Sequence, residues 1–170
     1  MTLRSLKTPR HVGVAALLTV LAIGTLIPSR IQAQDTSPDT AAPMAVVREM
    51  FAAMKAGDSA RVRAVFHPQM VALMSSDVGR DGVARVEVIS VNDFVKAMGT
   101  PHPAVYDERI SNPRVLMDGG TLASVWTDYA FYAGTKFSHC GVDVFHVAKV
   151  GTTWKIVSLT DTRRTTGCTP

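Results

Sequence analysis

Apolar residues recur along this chain at two spacings, and the spacing changes near residue 70. Val47, Met50, Phe51 and Met54 fall at i, i+3, i+4 and i+7, one apolar stripe on a helix that the pattern starts after Pro43. Gly57 supplies a stop, and Asp58 is a capping residue for a second short helix with its own stripe of Val62, Val65 and Phe66. His67-Pro68 ends it, because the residue before a proline is pushed out of the helical region. "MVALMSS" and "VARVEVIS" then read as strands around an Asp81-Gly82 turn. Ser90 followed by Asp93 resembles a capping box and predicts a third helix from about Val91 to Met98, broken by Gly99, Pro101 and Pro103.

From Ala104 the chain reads as strand almost throughout. "AVYDERISNPRVLM" is long and interrupted at Asn112-Pro113, a bulge signal, and Asp118-Gly119-Gly120 turns it back. "TLASVWTDYAFY", "KFSHCGVDVFHVAKV" and "TWKIVSLTDTRR" follow, separated by turns at Ala133-Gly134 and Gly151. Helices followed by an antiparallel meander make the fold class α+β.

The beginning of the chain has a different pattern. Arg4, Lys7 and Arg10 precede a continuous apolar run over 12–27, and Ile31 and Ala33 stand where a signal peptidase reads its −3 and −1 positions. The run is short for a membrane span, which takes about 20 residues. Residues 1–33 are therefore expected to be a cleaved secretory signal peptide, and the mature protein to be periplasmic or secreted without stable membrane anchoring. Polar residues 34–42 read as a disordered linker. One domain is expected over 43–170.

Export changes the meaning of the charge. The full chain of 170 residues has a formal net charge of +4. Four of its 18 Lys and Arg residues (Arg4, Lys7, Arg10 and Arg30) and none of its 14 acids lie within the first 33, so the rest is formally neutral. No basic patch argues for nucleic acid as a partner. The two cysteines, Cys140 and Cys168, would enter an oxidising compartment and are expected to form a disulfide.

The wording of the chain is also informative. "VREMFAAMKAGDSARVRAVFHP" resembles the opening helix pair of the NTF2-like superfamily, in which a Gly-Asp separates the helices. "DGGTLASVWTDYAFY", "KFSHCGVDVFHVAKVGTTWKIVSLTDTRR" and the final Cys168 resemble its exported bacterial branch of SnoaL-like and lumazine-binding proteins, over roughly residues 43–168. The resemblance implies a cone, with N-terminal helices packed on a strongly curved antiparallel sheet. It also implies pairing of two copies through the open sheet face. It says little about activity, because one fold hosts many functions.

Strand alternation sorts the stretch "FSHCGVDVF" into two faces. Phe137, His139, Gly141, Asp143 and Phe145 share one of them, apolar with a few polar groups, as a pocket wall would be. Trp126 and Asp128 on the preceding strand are assigned with them, so the expected ligand-binding set is Trp126, Asp128, His139 and Asp143. His139 and Asp143 are about 13 Å apart along one strand, so a general-base dyad would have to take Asp128 as its carboxylate. The catalytic candidates are accordingly His139, Asp128 and Asp143. Trp126 and Trp154 equally read as core aromatics, and Arg163-Arg164 as a solvated strand end. The histidines fall at no metal-binding spacing, and there is no phosphate loop or dinucleotide fingerprint, so no metal and no cofactor is expected. The favoured function is binding of a small, partly apolar molecule in the cone. The alternative is cofactor-free acid–base chemistry, of the isomerase or dehydratase type, in the same cavity.

Overall fold

The computed structural model describes residues 38–169. The expected signal peptide and residues 34–37 of the expected linker lie outside the described residues, while residues 38–42, expected to be disordered, are helical. The elements run α1 (Pro38–Ala56), α2 (Ser59–Val65), β1 (Ala72–Val78), β2 (Ala84–Ser90), α3 (Val91–Gly99), β3 (Tyr106–Asp118), β4 (Leu122–Ala133), β5 (Lys136–Val150) and β6 (Thr153–Arg163). Among the described residues this is the expected α+β arrangement, three helices and one six-stranded, curved, unclosed sheet of order β2-β1-β6-β5-β4-β3.

Two details depart from the sequence reading. Helix α1 begins at Pro38 rather than after Pro43, and carries Pro43 inside it. A proline there removes one backbone hydrogen bond. Thr40, Pro43 and Met44 are all buried, and that packing outweighs the local signal. The sheet is also not wholly antiparallel, because β1 runs parallel to β6, with Ser75 opposite Asp161.

Local chemistry accounts for the helix starts. Asp58 accepts a 3.0 Å hydrogen bond from the Arg61 amide and caps α2. Ser90 accepts from the Asp93 amide at 3.0 Å, and its hydroxyl donates to the Asp93 carboxylate at 2.7 Å, which closes the α3 cap in both directions. The apolar stripe of α1 (Val47, Met50, Phe51, Met54) is buried as the spacing requires, and Phe51 meets Phe145 of β5 edge to face with ring centroids 5.9 Å apart.

The strands β3, β4 and β5 are long, and irregularities set which side chains face the helices. A bulge interrupts the β3–β4 register between Ser111 and Arg114, where Asn112 takes a positive φ of 50°. A second irregularity lies in the β4–β5 hairpin between Phe131 and Tyr132. Beyond it Phe131 pairs with His139, Tyr129 with Gly141, Thr127 with Asp143 and Val125 with Phe145.

Candidate functional site

The concave side of the sheet and helices α1 and α3 enclose a cavity of about 560 Å³. The helices contribute Met50, Phe51, Met54, Phe94 and Met98, an apolar and adaptable wall. The strands contribute aromatics and acids, and β5 places His139 and Asp143 in its lining.

Trp126 and Asp128 do not belong to this site. The shift between Phe131 and Tyr132 places Thr127, Tyr129 and Phe131 on the cavity side of β4, so the alternate residues face outward. Trp126 is 46% exposed on the outer face. Asp128 accepts a 2.9 Å hydrogen bond from the Asn112 side chain and so braces the β3 bulge. No His139–Asp128 dyad forms. The pairing of His139 is with Arg163, whose guanidinium nitrogen lies 3.3 Å from Nδ1, and with Ser138, whose hydroxyl is 3.0 Å from the same atom. A guanidinium can only donate, so this contact leaves the lone pair on Nδ1 and the ring proton on Nε2. The ring stacks on Phe131 at 4.8 Å and meets Tyr129 edge-on at 5.7 Å. Burial and, secondarily, the Arg163 charge push the His139 pKa down to about 4, so the imidazole is neutral at pH 7. Arg163 lines the cavity and is not merely a solvated strand end.

The centre of the site is a group of carboxyls that sequence reasoning did not assemble. Asp143 of β5 and Asp161 of β6 are direct cross-strand partners, and Glu108 of β3 reaches the same cavity. Asp143 is 3% exposed. Glu108 and Asp143 line the same buried wall and are close enough for each to shift the other's titration. Burial first, then the Asp161 charge, raises Glu108 to about 8. Burial and the Glu108 charge raise Asp143 well above the usual carboxylate range. Asp161 is also raised by burial, offset in part by Ser75 and Arg163. No protein N–H or hydroxyl reaches Asp143 Oδ2 or Asp161 Oδ1, both of which are buried. Among the described residues no three His, Cys, Asp or Glu side chains are placed to hold a metal ion.

Tyr129 ties the group together. Its hydroxyl donates to the Thr162 carbonyl at 3.0 Å and lies 3.5 Å from Asp161 Oδ2, so a β4 side chain crosses β5 to reach β6. Gly141 makes that crossing open. A Cβ there would overlap the Thr162 carbonyl oxygen and sit 2.7 Å from the Tyr129 ring edge. Burial and the surrounding carboxylates raise the Tyr129 pKa, so its hydroxyl keeps its proton.

On the strand's other face, Cys140 and Cys168 form the expected disulfide, with Cα atoms 5.8 Å apart. Cys140 and Arg164 exchange two backbone hydrogen bonds of 2.9 Å, so the C-terminal tail is fastened beside β5.

A family model described as "Putative lumazine-binding" matches residues 38–160. The chain belongs to this family. Its fold is that of the NTF2-like superfamily. An NTF2-like protein from Shewanella baltica is 21% identical with a TM-score of 0.54, over 73% of this chain and 92% of that one. A protein with a cystatin-like fold from Nostoc punctiforme is 11% identical with a TM-score of 0.59, over 77% and 95%. A Streptomyces avermitilis protein described as a "putative dehydratase from the NTF2-like family" is 13% identical with a TM-score of 0.58, over 74% and 96%. At these identities the likeness is one of fold. None of the curated proteins compared matches the chain.

Proposed function

We propose that this is an exported binding domain that holds a small, partly apolar molecule in the cavity of its cone. The observation that carries the reading is the cavity itself, about 560 Å³ with aromatic and methionine walls around a few buried polar groups. Membership of a family described as lumazine-binding supports it, as do the Tyr106 and Phe131 rings that line the cavity. Cleavage after Ala33 and a periplasmic or secreted location are part of the proposal, supported by the Cys140–Cys168 disulfide, a bond that persists in oxidising compartments. A homodimer through the outer sheet face would cover Trp126 and Leu116, which are 46% and 75% exposed.

One observation favours the second reading, acid–base catalysis without a cofactor. Burial raises the Glu108 carboxyl to about 8 inside the cavity, and a carboxyl whose pKa lies near neutrality can both give and take a proton. Native mass spectrometry of protein purified without denaturation tests the first reading. A retained small molecule that is lost in the cavity-blocking variant Ala133→Trp is the expected result. An empty wild-type protein that also shows no thermal shift across a metabolite panel would overturn it.

A further inference from the structure

The cavity's polar wall is unbalanced. Among the described residues lining it, Asp77 of β1, Glu87 of β2, Glu108 of β3, Asp143 of β5 and Asp161 of β6 carry carboxyls, while Arg163 is the one guanidinium. Arg163 is engaged with His139 Nδ1, and His139 is neutral. Buried carboxylate oxygens ordinarily receive hydrogen bonds, because an unmet one costs about 1–3 kcal/mol or more. Asp143 Oδ2 and Asp161 Oδ1 receive none from the protein. Apart from the protons held by the buried acids, the protein supplies acceptors here and leaves the other donors to come from elsewhere.

We infer that the cavity selects a flat aromatic ligand carrying a cationic, multiply N–H-donating group, such as an amidinium or a protonated amino-heterocycle, which docks on Asp143 and Asp161. This inference rests on the binding reading above and names the ligand class of that site. Asp143 and Asp161 are direct cross-strand partners on β5 and β6 and line one cavity, so a forked donor can address both. The ring of such a ligand has Phe131, Tyr106 and Phe94 to pack against. An anion finds a single guanidinium among the described lining residues, already engaged with His139, and a compact metal ion finds no ligating triad among the described residues. Burial holds a proton on Asp143, so binding of a cation there releases it.

Three isosteres separate charge from shape: 2-naphthamidine, 2-naphthamide and 2-naphthoate, positively charged, neutral and negatively charged at pH 7.5. Isothermal titration of the full folded domain should give a dissociation constant for the amidine at least about tenfold below that of either other compound. Titration in two buffers of different ionisation enthalpy should show proton release with the amidine alone. Asp143→Asn should bring the three within about threefold of one another. Should that variant fail to fold, Asp161→Asn carries the same expectation. Tightest binding by the amide or the naphthoate would overturn the inference while leaving the cavity a binding site. Failure of all three to bind would also overturn it, and the native mass spectrum then decides separately whether the cavity binds anything.

Discussion

Asp143 and Asp161 stand directly opposite each other on neighbouring strands, and Glu108 of β3 lines the same cavity. Like charges directly opposite on a sheet destabilise it, and burial increases the cost. The fold meets that cost by holding protons. The arrangement contributes nothing to packing that an Asn or a Val would not supply, so the acids are a feature of the site rather than of the core.

Protein stability should fall between pH 6.5 and pH 8. Burial raises Glu108 to about 8 in the fold against an ordinary value of 4.5. Between those limits the folded state binds more protons than the unfolded one, so stability is lost as pH rises through this window. His139 acts in the other direction. With its folded value near 4 against 6.5 unfolded, it adds stability as pH rises from 4 to 6.5 and nothing further above. Above pH 6.5 the carboxyl effect therefore stands alone. Thermal melts of wild type should decline across that window, and Glu108→Gln should flatten the decline and be the more stable protein at pH 8. A profile that rises to pH 8 in the wild type would contradict the raised Glu108 pKa.

Much of the fold was legible in the sequence because its signals were local. The capping residues Asp58 and Ser90, the apolar stripe of α1 and the break at Asn112-Pro113 each act within a few residues. The alternation of β5 likewise placed His139 and Asp143 on the pocket face. The assignment of Trp126 and Asp128 to that face failed for one physical reason. At the hairpin end Tyr132 pairs with Phe137, and continuing that register unbroken would set Trp126 opposite Asp143. The irregularity between Phe131 and Tyr132 slips the pairing by one residue, and a one-residue slip exchanges the two faces. Glu108 and Asp161 were visible as acids on strands, but their meeting with Asp143 depends on registers of three strand pairs and on the curvature of the sheet. The one local signal for this region was Gly141, a glycine inside a strand, which marks a close approach of another chain segment.

Gly141→Ala should be among the most damaging single changes in the domain. Its methyl group would overlap the backbone oxygen of Thr162 and crowd Tyr129, and a backbone atom cannot rotate away. The expected loss is about 3 kcal/mol, the upper range for overpacking. Urea denaturation measures it. A loss below about 0.5 kcal/mol would mean that β5 and β6 are not held at this separation.

Tyr129→Phe isolates the hydrogen bond from the ring. The phenyl ring keeps its contacts with His139, while the Thr162 carbonyl loses a 3.0 Å donor. A cost of about 1–2 kcal/mol in urea denaturation is expected. Asp161 also loses a neighbouring hydroxyl at 3.5 Å, so its carboxyl proton should be held more firmly in the variant. Carboxyl-carbon NMR titration of Asp161 should show its midpoint moving to higher pH. An unmoved midpoint would mean that the hydroxyl serves Thr162 alone.

Removal of the disulfide should loosen the site from its edge. Cys140 and Cys168 are 28 positions apart, and in the chain-entropy model closing such a loop contributes roughly 3–4 kcal/mol. The bond holds the tail where Arg164 exchanges backbone hydrogen bonds with Cys140, and Arg163 is the residue before it. Arg163 in turn contacts His139 Nδ1 and helps to keep the ring neutral. The double variant Cys140→Ser, Cys168→Ser is therefore expected to lose stability by about that amount in urea denaturation at pH 7. It should also raise the His139 pKa from about 4 toward 6.5, because the Arg163 charge is no longer held against the ring. Imidazole NMR titration with and without reductant on the wild type reads the same change without mutation. Destabilisation with an unmoved His139 titration would show that the bond anchors the tail but does not position Arg163.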